Sequence, residues 1–324
     1  MRSFFVAAFV VALFSVCSIA SAQPYPSRPI TMVVPFAAGG PVDTVARILA
    51  EPMKKALGQT VLVDNTTGAA GTIGVGRVAR AAPDGYLLSI GHWSTHVVNG
   101  AIYQLTYDLL KDFEPVAMLA SNPMIIVTKS AAPISKPDEL VPWLKSNKQS
   151  LMVGTAGVGS GTHMGGLYLQ NTTGAKFDYV PYRGSGPALQ DLLAGQLDLI
   201  VDQLSNALPQ VRGGRIRAHA VTAKARSTAA PDIPTVDEVG LNGLYTSIWY
   251  GIWAPKVTPK NVIGKLNAAV VESLADPVVQ QRFSALGLEI MPRDQQTPEA
   301  LRAHQKSEID KWWPMIKAAG IKAE

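Results

Sequence analysis

Short, mostly apolar segments alternate along the chain with stretches in which apolar residues recur at helical spacing. Ile30–Val34 is such a segment and predicts a buried strand. Val42–Leu57 carries its apolar residues on one face and predicts a helix, which Pro52 should bend and Gly58 should end. This part of the chain is therefore expected to form a strand, a glycine turn and a helix.

The same alternation continues and produces two successive βαβαβ units. Such units predict parallel sheets that are covered by helices on both faces. Further strands are predicted at Val61–Asp64, Tyr86–Gly91, Pro115–Ala120, Met124–Thr128, Leu151–Gly154, Asp178–Pro181, Leu197–Val201 and Ile216–Thr222, and further helices at Thr72–Ala81, Pro137–Lys145, Thr162–Asn171 and Pro187–Ala194.

The C-terminal part is dominated by helices. A strand at Ile248–Ala254 precedes three predicted helices, Thr258–Ala275, Pro277–Leu286 and Thr297–Ala319, and we expect this tail to cover the first lobe. The pattern predicts an α/β fold of two lobes, residues 23–124 plus 247–324 and residues 125–246. Two segments near residues 122–129 and 246–254 would join the lobes, and a ligand cleft would lie between them.

The first 22 residues have the pattern of a secretory signal peptide. Arg2 provides a basic start, Phe4–Val16 is almost unbroken apolar sequence, and Ala20-Ser21-Ala22 predicts cleavage after Ala22. A membrane anchor would need a longer apolar run, and Val16 fits poorly before Cys17 in a lipoprotein signal. Cys17 is the only cysteine, so the mature protein is expected to have neither disulfides nor thiolate chemistry.

The charge balance is mildly basic, with 29 Lys and Arg against 24 Asp and Glu. The basic residues form no run, so we expect no nucleic-acid partner. A mild positive balance suits a small anionic ligand.

Two glycine-rich loops are candidates for anion binding at helix starts. In "VVPFAAGGPVDTVARIL", Gly40 is a plausible N-cap, and Asp43 at the third helical position can reach back to the N-cap amide. In "GTAGVGSGTHMGG", Ser160 and His163 lie where a second helix begins after a strand. Either loop alone could be a capped turn without a ligand, but two at equivalent places favour a binding site.

Two more loops follow predicted strands. "IGHWSTHVVN" offers Ser94 and Thr95 as hydrogen-bond donors, Trp93 as an apolar wall, and a histidine pair that lacks the companion ligands of a metal site. "YVPYRGSGP" contains Tyr182 and Arg183, and Arg183 could pair with a distal carboxylate or be a solvated surface residue.

Several enzyme classes fail on spacing. "GVGRVA" lies inside a predicted helix rather than at the start of one, which makes it a weak dinucleotide motif. Ser160 and Ser185 lack the glycines of a nucleophile elbow, and no pair of carboxylates stands out. We therefore expect no enzyme activity, metal or cofactor.

The order of these motifs resembles that of the Bug-type solute receptors, the extracytoplasmic binding proteins of tripartite tricarboxylate transporters. The matching pieces cover nearly the whole mature chain: "YPSRPITMVVPFAAGGPVDTVAR", "GTIGVGRVARAAPDGYLL", "THVVN", "YDLLKDFEPVA", "VGTAGVGSGTHM", "VPYRGSGPALQDLLAGQLDL" and "WYGIWAPKVTP". The resemblance implies a two-lobed periplasmic binding protein fold of type II, with two crossover segments, that holds small carboxylates through backbone amides and ordered water.

The resemblance also implies a set of ligand-binding residues. They are Phe36, Ala37, Ala38, Gly39, Gly40 and Asp43 in the first loop, Gly157, Gly159, Ser160 and His163 in the second, Ser94, Thr95 and His96 in the loop of lobe one, and Asp202 at a strand end of lobe two. Trp93 stands where many relatives have a smaller or polar residue. If its side chain faces the cleft, it could favour a flat or aromatic ligand.

The function expected from the sequence is that of a monomeric periplasmic receptor. It would capture an aliphatic or aromatic carboxylate by lobe closure and deliver it to the membrane permease subunits of a tripartite tricarboxylate transporter. A sensor that serves a signalling partner is the alternative, and an exported enzyme acting on a small acid is a weaker one because no nucleophile or base with a partner can be assembled.

Overall fold

The computed structural model describes residues 24–147 and 149–322, and the predicted signal peptide and its cleavage site lie outside them. Within these ranges, no helix combines the length and the apolar character that crossing a bilayer requires.

The first lobe begins with three βα units. The elements are β1 (Ile30–Val34), α1 (Pro41–Leu57), β2 (Val61–Asn65), α2 (Thr72–Ala79), β3 (Leu87–His92) and α3 (Asn99–Ile102). Ala69–Gly71 forms a 3₁₀ turn before α2, and Ser94–Val98 forms a π-helical turn before α3. As predicted, Pro52 lies within α1, and the left-handed Gly58 (φ 68°) ends it.

A 17-residue strand, β4 (Phe113–Lys129), then leads into the second lobe. The elements there are α4 (Leu140–Ser146), β5 (Leu151–Thr155), α5 (Gly161–Thr173), β6 (Phe177–Pro181), α6 (Ser185–Leu193), β7 (Leu199–Gln203), α7 (Leu204–Arg212) and β8 (Ile216–Val221). The chain returns through β9 (Ser247–Pro255) to α8 (Lys260–Ala275), α9 (Pro277–Ala285), β10 (Glu289–Ile290) and α10 (Pro298–Ala318).

The ten strands form one mixed sheet in the order β2-β1-β3-β9-β4-β7-β5-β6, with β8 and β10 also paired to β4. β1 is parallel to β2 and β3, and β5 is parallel to β6 and β7, whereas β4 and β9 run antiparallel to their neighbours. The prediction of parallel strands is confirmed within each βαβαβ unit, but the sheet as a whole is mixed. The reason is connectivity, because β4 carries the chain into the second lobe and β9 carries it back in the opposite direction.

The two strands predicted at Pro115–Ala120 and Met124–Thr128 are one continuous strand. β9 pairs with β4 as far as Pro123, and β7 takes over from Met124. The side chain of Asn122 supports this point because it donates to the carbonyl of Gly287 (2.7 Å) and accepts from the amide of Ser205 (3.0 Å). We propose that the lobe boundary lies here and at the return of the chain near residue 246.

The C-terminal helices pack against the first lobe. Gln305 of α10 accepts from the indole of Trp253 (3.1 Å) and donates to the carbonyls of His96 (2.9 Å) and Leu109 (3.0 Å). Trp313 donates to the carbonyl of Val97 (2.8 Å). These bonds connect α10 to the π-helical turn, whose irregular backbone needs partners from outside its own segment.

A substitution at Gly91 of β3 tests this packing. A Cβ atom there would lie 2.5 Å from ring atoms of His96, and that ring is stacked on Trp253 with centroids 3.6 Å apart. We expect Gly91→Ala to lower the free energy of unfolding, measured by urea denaturation, by about 1–3 kcal/mol.

Gly264→Ala is the matched control. Gly264 lies on an exposed face of α8, and its added Cβ would meet no atom within 4 Å, so this change should stabilise the protein by about 0.5–1 kcal/mol. Equal effects of the two substitutions would contradict the packing described for Gly91.

Candidate functional site

Three helices begin at one small enclosed space between the lobes. We call this space the inner chamber. It has a volume of about 10 Å³ and is lined by the first residues of α1 (Pro41 and Val42), α5 (Gly161 and Thr162) and α6 (Ser185), together with Phe36, His92, Ala156, Ser160 and Gln203. Each helix follows a parallel strand, which places all three starts at the carboxyl edge of the sheet. The volume is close to that of one water molecule.

The loop before α1 is held in shape by Asp43. The buried carboxylate accepts from the amide of Gly39 (2.9 Å), from Nε of Arg47 (2.9 Å) and from the side-chain amide of Asn65 (3.1 Å). Burial alone would raise the pKa of Asp43, but the hydrogen bonds from Arg47, Gly39 and Asn65 outweigh it and lower the pKa. Asp43 therefore braces the loop from within the first lobe.

The loop before α5 is braced in a similar way. Ser160 caps the helix by accepting from the amide of His163 (3.3 Å), and Thr162 accepts from the amide of Ala156 (2.8 Å). Nδ1 of His163 accepts from the amide of Gly159 (3.1 Å). Burial lowers the pKa of His163 to about 4, so this imidazole is neutral at neutral pH and positions the loop without adding charge.

Hydrogen bonds join the two lobes. The amide of Ala37 donates to the carbonyl of Arg183 (3.0 Å), and the hydroxyl of Tyr103 donates to the carbonyl of Val158 (2.7 Å). Gly186 lies so close to the first loop that an added Cβ would be 3.3 Å from backbone atoms of Gly39 and Gly40. These contacts define a closed arrangement of the lobes.

A larger space, which we call the outer cavity, adjoins the inner chamber. Its volume is about 540 Å³, and Phe36 and Ala156 line both spaces. Backbone-rich segments form most of its wall, and Arg183 is the one charged residue in the described lining. Tyr182 also lines it, but its hydroxyl donates to Asp191 (2.6 Å). Burial and the nearby Asp191 raise the pKa of Tyr182 to about 12, so this residue is a neutral wall.

One wall of the outer cavity was missed by the sequence analysis. Gly68–Gly71 lines it in a left-handed conformation that includes Ala69 (φ 44°) and Ala70 (φ 49°). Positive φ is uncommon for alanine and concentrates at functional segments. Asn99 holds this turn by donating to the carbonyl of Ala70 (3.0 Å). The only signal in the sequence is the pair of glycines that bracket the two alanines.

The loop "IGHWSTHVVN" is buried within the first lobe. Ser94 and Thr95 contact Nδ1 of His92 and of His96 at 3.0 Å each, and His96 stacks on Trp253. Ser94, Thr95 and His96 line neither the inner chamber nor the outer cavity. His92 does line the chamber. Burial lowers the pKa of His92 to about 4.

The remaining predicted residues lie around the two spaces. Gly157 lines the outer cavity, Gly40 is the buried N-cap of α1, and Ala38 and Gly39 are exposed at the rim. Trp93 packs edge-on against Trp312 (ring centroids 5.0 Å apart) and lines a different groove. The hypothesis that Trp93 favours aromatic ligands requires its side chain to face the ligand cleft. In this closed arrangement the side chain lines neither the inner chamber nor the outer cavity.

Asp202 is fully buried at the end of β7, behind the start of α6. It accepts from the side-chain amide of Asn206 (2.6 Å) and from the amide of Gln203 (2.8 Å). Burial dominates these hydrogen bonds and raises the pKa of Asp202 to about 7, from an ordinary value of 3.8.

This raised pKa predicts a pH dependence of stability. Because the folded-state pKa lies above the unfolded one, the contribution of Asp202 is fully present below pH 3.8 and is lost as the pH rises towards about 7. Asp202→Asn keeps the side chain neutral. We expect its free energy of unfolding, relative to the parent protein, to rise between pH 4 and 7 by up to about 1.4 kcal/mol per pH unit.

Urea denaturation of both proteins between pH 4 and 7 measures the difference in their free energies of unfolding. Titration of the histidines does not contribute to this difference because both proteins contain them. Asp178→Asn, which alters an exposed carboxylate in β6, is the control and should show a flat difference. A flat profile for Asp202→Asn as well would contradict the raised pKa.

The chain is similar to known proteins along most of its length. It is 40% identical over 320 residues to the "UPF0065 protein in the TAR-I ttuE-ttuC' intergenic region" of Agrobacterium vitis, covering 99% of this chain and 92% of that protein. It is 33% identical over 314 residues to protein BugT of Bordetella pertussis, covering 96% and 95% of the two chains.

Three solved structures share the fold. The periplasmic binding protein BugD has a TM-score of 0.89 at 42% identity, over 92% of this chain and all of that one. MatC from Rhodopseudomonas palustris with bound malate has a TM-score of 0.86 at 39% identity, over 90% and 100%. An R. palustris protein with adipate has a TM-score of 0.86 at 31% identity, over 92% and 100%.

These proteins are solute-binding receptors rather than enzymes, and they share the two-lobed periplasmic binding fold described above. The sequence pattern of the family described as "Tripartite tricarboxylate transporter family receptor" matches residues 45–321. This match covers most of the chain, and BugT and BugD are among the similar proteins. The chain therefore belongs to this family of Bug-type receptors.

Proposed function

We propose that this protein captures a small carboxylate between its lobes and delivers it to the permease of a tripartite tricarboxylate transporter. The observation that carries the proposal is the convergence of α1, α5 and α6 on the inner chamber. The first turn of a helix has amide groups without partners inside the helix, and its partial positive charge attracts anions.

The amides are the main donors because the side chains around them are already engaged. Asp43, Ser160 and His163 hydrogen-bond to the backbone of their own loops. No charged side chain lines the chamber in the part of the chain that the structure describes. A carboxylate can therefore be held by helix-start amides and hydroxyls at the border of the two spaces, with one water molecule in the chamber.

The outer cavity suits the remainder of the ligand. Its volume of about 540 Å³ lies within the usual range of small-molecule sites. Arg183 lines the cavity and is available to pair with a second carboxylate of the same ligand. This arrangement favours a dicarboxylate, and two similar proteins were solved with malate and with adipate.

Lobe closure follows from the same geometry. In the absence of an anion, closing the lobes brings the positive start of α1 towards those of α5 and α6 and buries amides without partners, both of which are unfavourable. A carboxylate removes both penalties and so selects the closed form. The closed surface is then what the permease would recognise. A periplasmic location, supported by the similarity to the periplasmic binding protein BugD, and a monomeric state complete the proposal.

Thermal unfolding with added acids tests the proposal. A ligand that binds only the folded state at 100 times its Kd adds about 2.7 kcal/mol, which corresponds to about 5 °C in Tm for a protein of this size. We expect such a shift with malate, adipate or a related dicarboxylate, and none with hexane-1,6-diol, the neutral analogue of adipate. Absence of a shift across a panel of mono- and dicarboxylates would refute carboxylate capture.

A closure-blocking substitution tests the mechanism. The side chain of Gly186→Leu would enter the backbone of Gly39 and Gly40 across the cleft, so the lobes should no longer close and the ligand-induced shift should be lost. The Tm without ligand should change little because Gly186 lies in the first turn of α6. Gln190→Leu, at an exposed position of the same helix, is the control and should keep the shift. Full binding by Gly186→Leu would contradict closure at this contact.

A further inference from the structure

A second groove, which we call the side groove, lies between the two lobes and is separate from the outer cavity. Its volume is about 380 Å³. One wall is formed by α5, with Met164 and Tyr168, and by Tyr245. The other is formed by Trp93 and by the end of α10, with Trp312 and Met315. Met124 and Thr246, which lie where the chain crosses between the lobes, also line it.

The side groove concentrates exposed apolar surface. Among the described residues, eight large hydrophobic side chains are exposed, and three of them line this groove: Met315 (47%), Tyr168 (40%) and Tyr245 (38%). Single exposed hydrophobic residues need no explanation, but a cluster with concave shape is typical of a binding surface.

The charge of the groove is one-sided. Lys311 is the only charged residue in the described lining, and no carboxylate belongs to it. Its Nζ lies 5.0 Å from the ring centroid of Trp312. Lys306, one helical turn earlier, is paired with Asp310 (2.5 Å), whereas no ion pair involves Lys311 in the described part of the chain. Two acids lie next to the lining without belonging to it: Glu308 accepts from the indole of Trp312 (3.1 Å), and Asp237 accepts from the hydroxyl of Tyr245 (2.7 Å).

We propose that the side groove is a second ligand site, for a monocarboxylate with an apolar body such as a medium-chain or aryl-alkyl acid. The apolar body would contact Trp93, Trp312 and Met315, and the carboxylate would pair with Lys311. The apolar walls supply most of the binding, and one cation without a partner selects for a single negative charge.

The same elements connect this groove to the cleft. Gly161, at the start of α5, lines both the inner chamber and the side groove, and Met164 follows one turn later. His92 lines the chamber, and the next residue, Trp93, lines the groove. Because the groove is formed in the closed arrangement and has one wall from each lobe, an occupant should favour closure. Coupling between an occupant of the side groove and a ligand in the cleft therefore rests on the proposed function. Binding to the side groove itself does not.

The probe for binding is octanoate, used below its critical micelle concentration. Its binding is measured by calorimetry and by the fluorescence of the tryptophans. We expect saturable binding of octanoate and weaker binding of octan-1-ol and octylamine. Lys311→Gln should weaken octanoate binding by about fivefold, as for a partly exposed ion pair. Lys317→Gln is the matched control because Lys317 lies on the same helix, 5.3 Å from the ring of Trp313, and outside the groove.

Met315→Asp places a negative charge in the groove and should abolish octanoate binding, while an unchanged Tm without ligand verifies the fold. Equal binding of octanoate and octan-1-ol, equal effects of Lys311→Gln and Lys317→Gln, or full binding by Met315→Asp would each overturn the proposal. A third outcome would also overturn the proposal: the parent protein does not bind octanoate, and cells carrying Met315→Asp lose solute uptake. The groove would then be a contact surface for the permease.

Coupling is measured by titrating adipate with and without octanoate. Each ligand should tighten the binding of the other by the same factor, and independent or opposed binding would refute the coupling. If no dicarboxylate binds at all, the proposed function fails, and the site in the groove is judged by octanoate alone.

Discussion

The meeting of three helix starts between two lobes is the constraint on which the rest of this structure depends. Each start carries amide groups that no residue of its own helix can satisfy, and each carries a partial positive charge. With the lobes closed, these helix starts line a space of about 10 Å³. A carboxylate at the border of this space, as proposed, would satisfy the amides and offset the partial charges, so occupancy and closure would favour each other.

Much of the surrounding sequence keeps the loops in shape for this purpose. Asp43 and Ser160 each accept from the backbone of the loop that contains them, and Asn99 secures the left-handed turn at Ala70. The buried histidines are neutral because burial lowers their pKa values. The proposed recognition uses backbone groups and cavity shape, which is compatible with similar proteins having been solved with acids as different as malate and adipate.

The C-terminal helix α10 contributes to both the first lobe and the side groove. Gln305 and Trp313 hydrogen-bond to the carbonyls of His96 and Val97 in the π-helical turn, which follows β3. The last turns of the same helix form a wall of the side groove through Trp312 and Met315.

The sequence by itself determined the local elements and the class of the fold. Strand β1, the glycine turn and helix α1 follow from apolar periodicity, and Gly58 ends α1 as its conformational freedom predicts. The sequence also indicated both glycine-rich loops, because glycines and caps at a helix start are local signals. The pattern did not predict α7, which contains Pro209, and it divided β4 into two strands, whereas pairing with β9 and β7 keeps β4 continuous.

Only the tertiary structure decided which residues face the ligand space. Ser94, Thr95 and Trp93 are polar or aromatic residues after a strand, yet packing with His96, Trp253 and Trp312 turns them away from it. Gly68–Gly71 enters the cavity because Asn99, nearly thirty residues later, holds its left-handed turn. Side-chain direction and long-range pairing depend on contacts between distant segments. The linear pattern of apolar and polar residues does not specify those contacts.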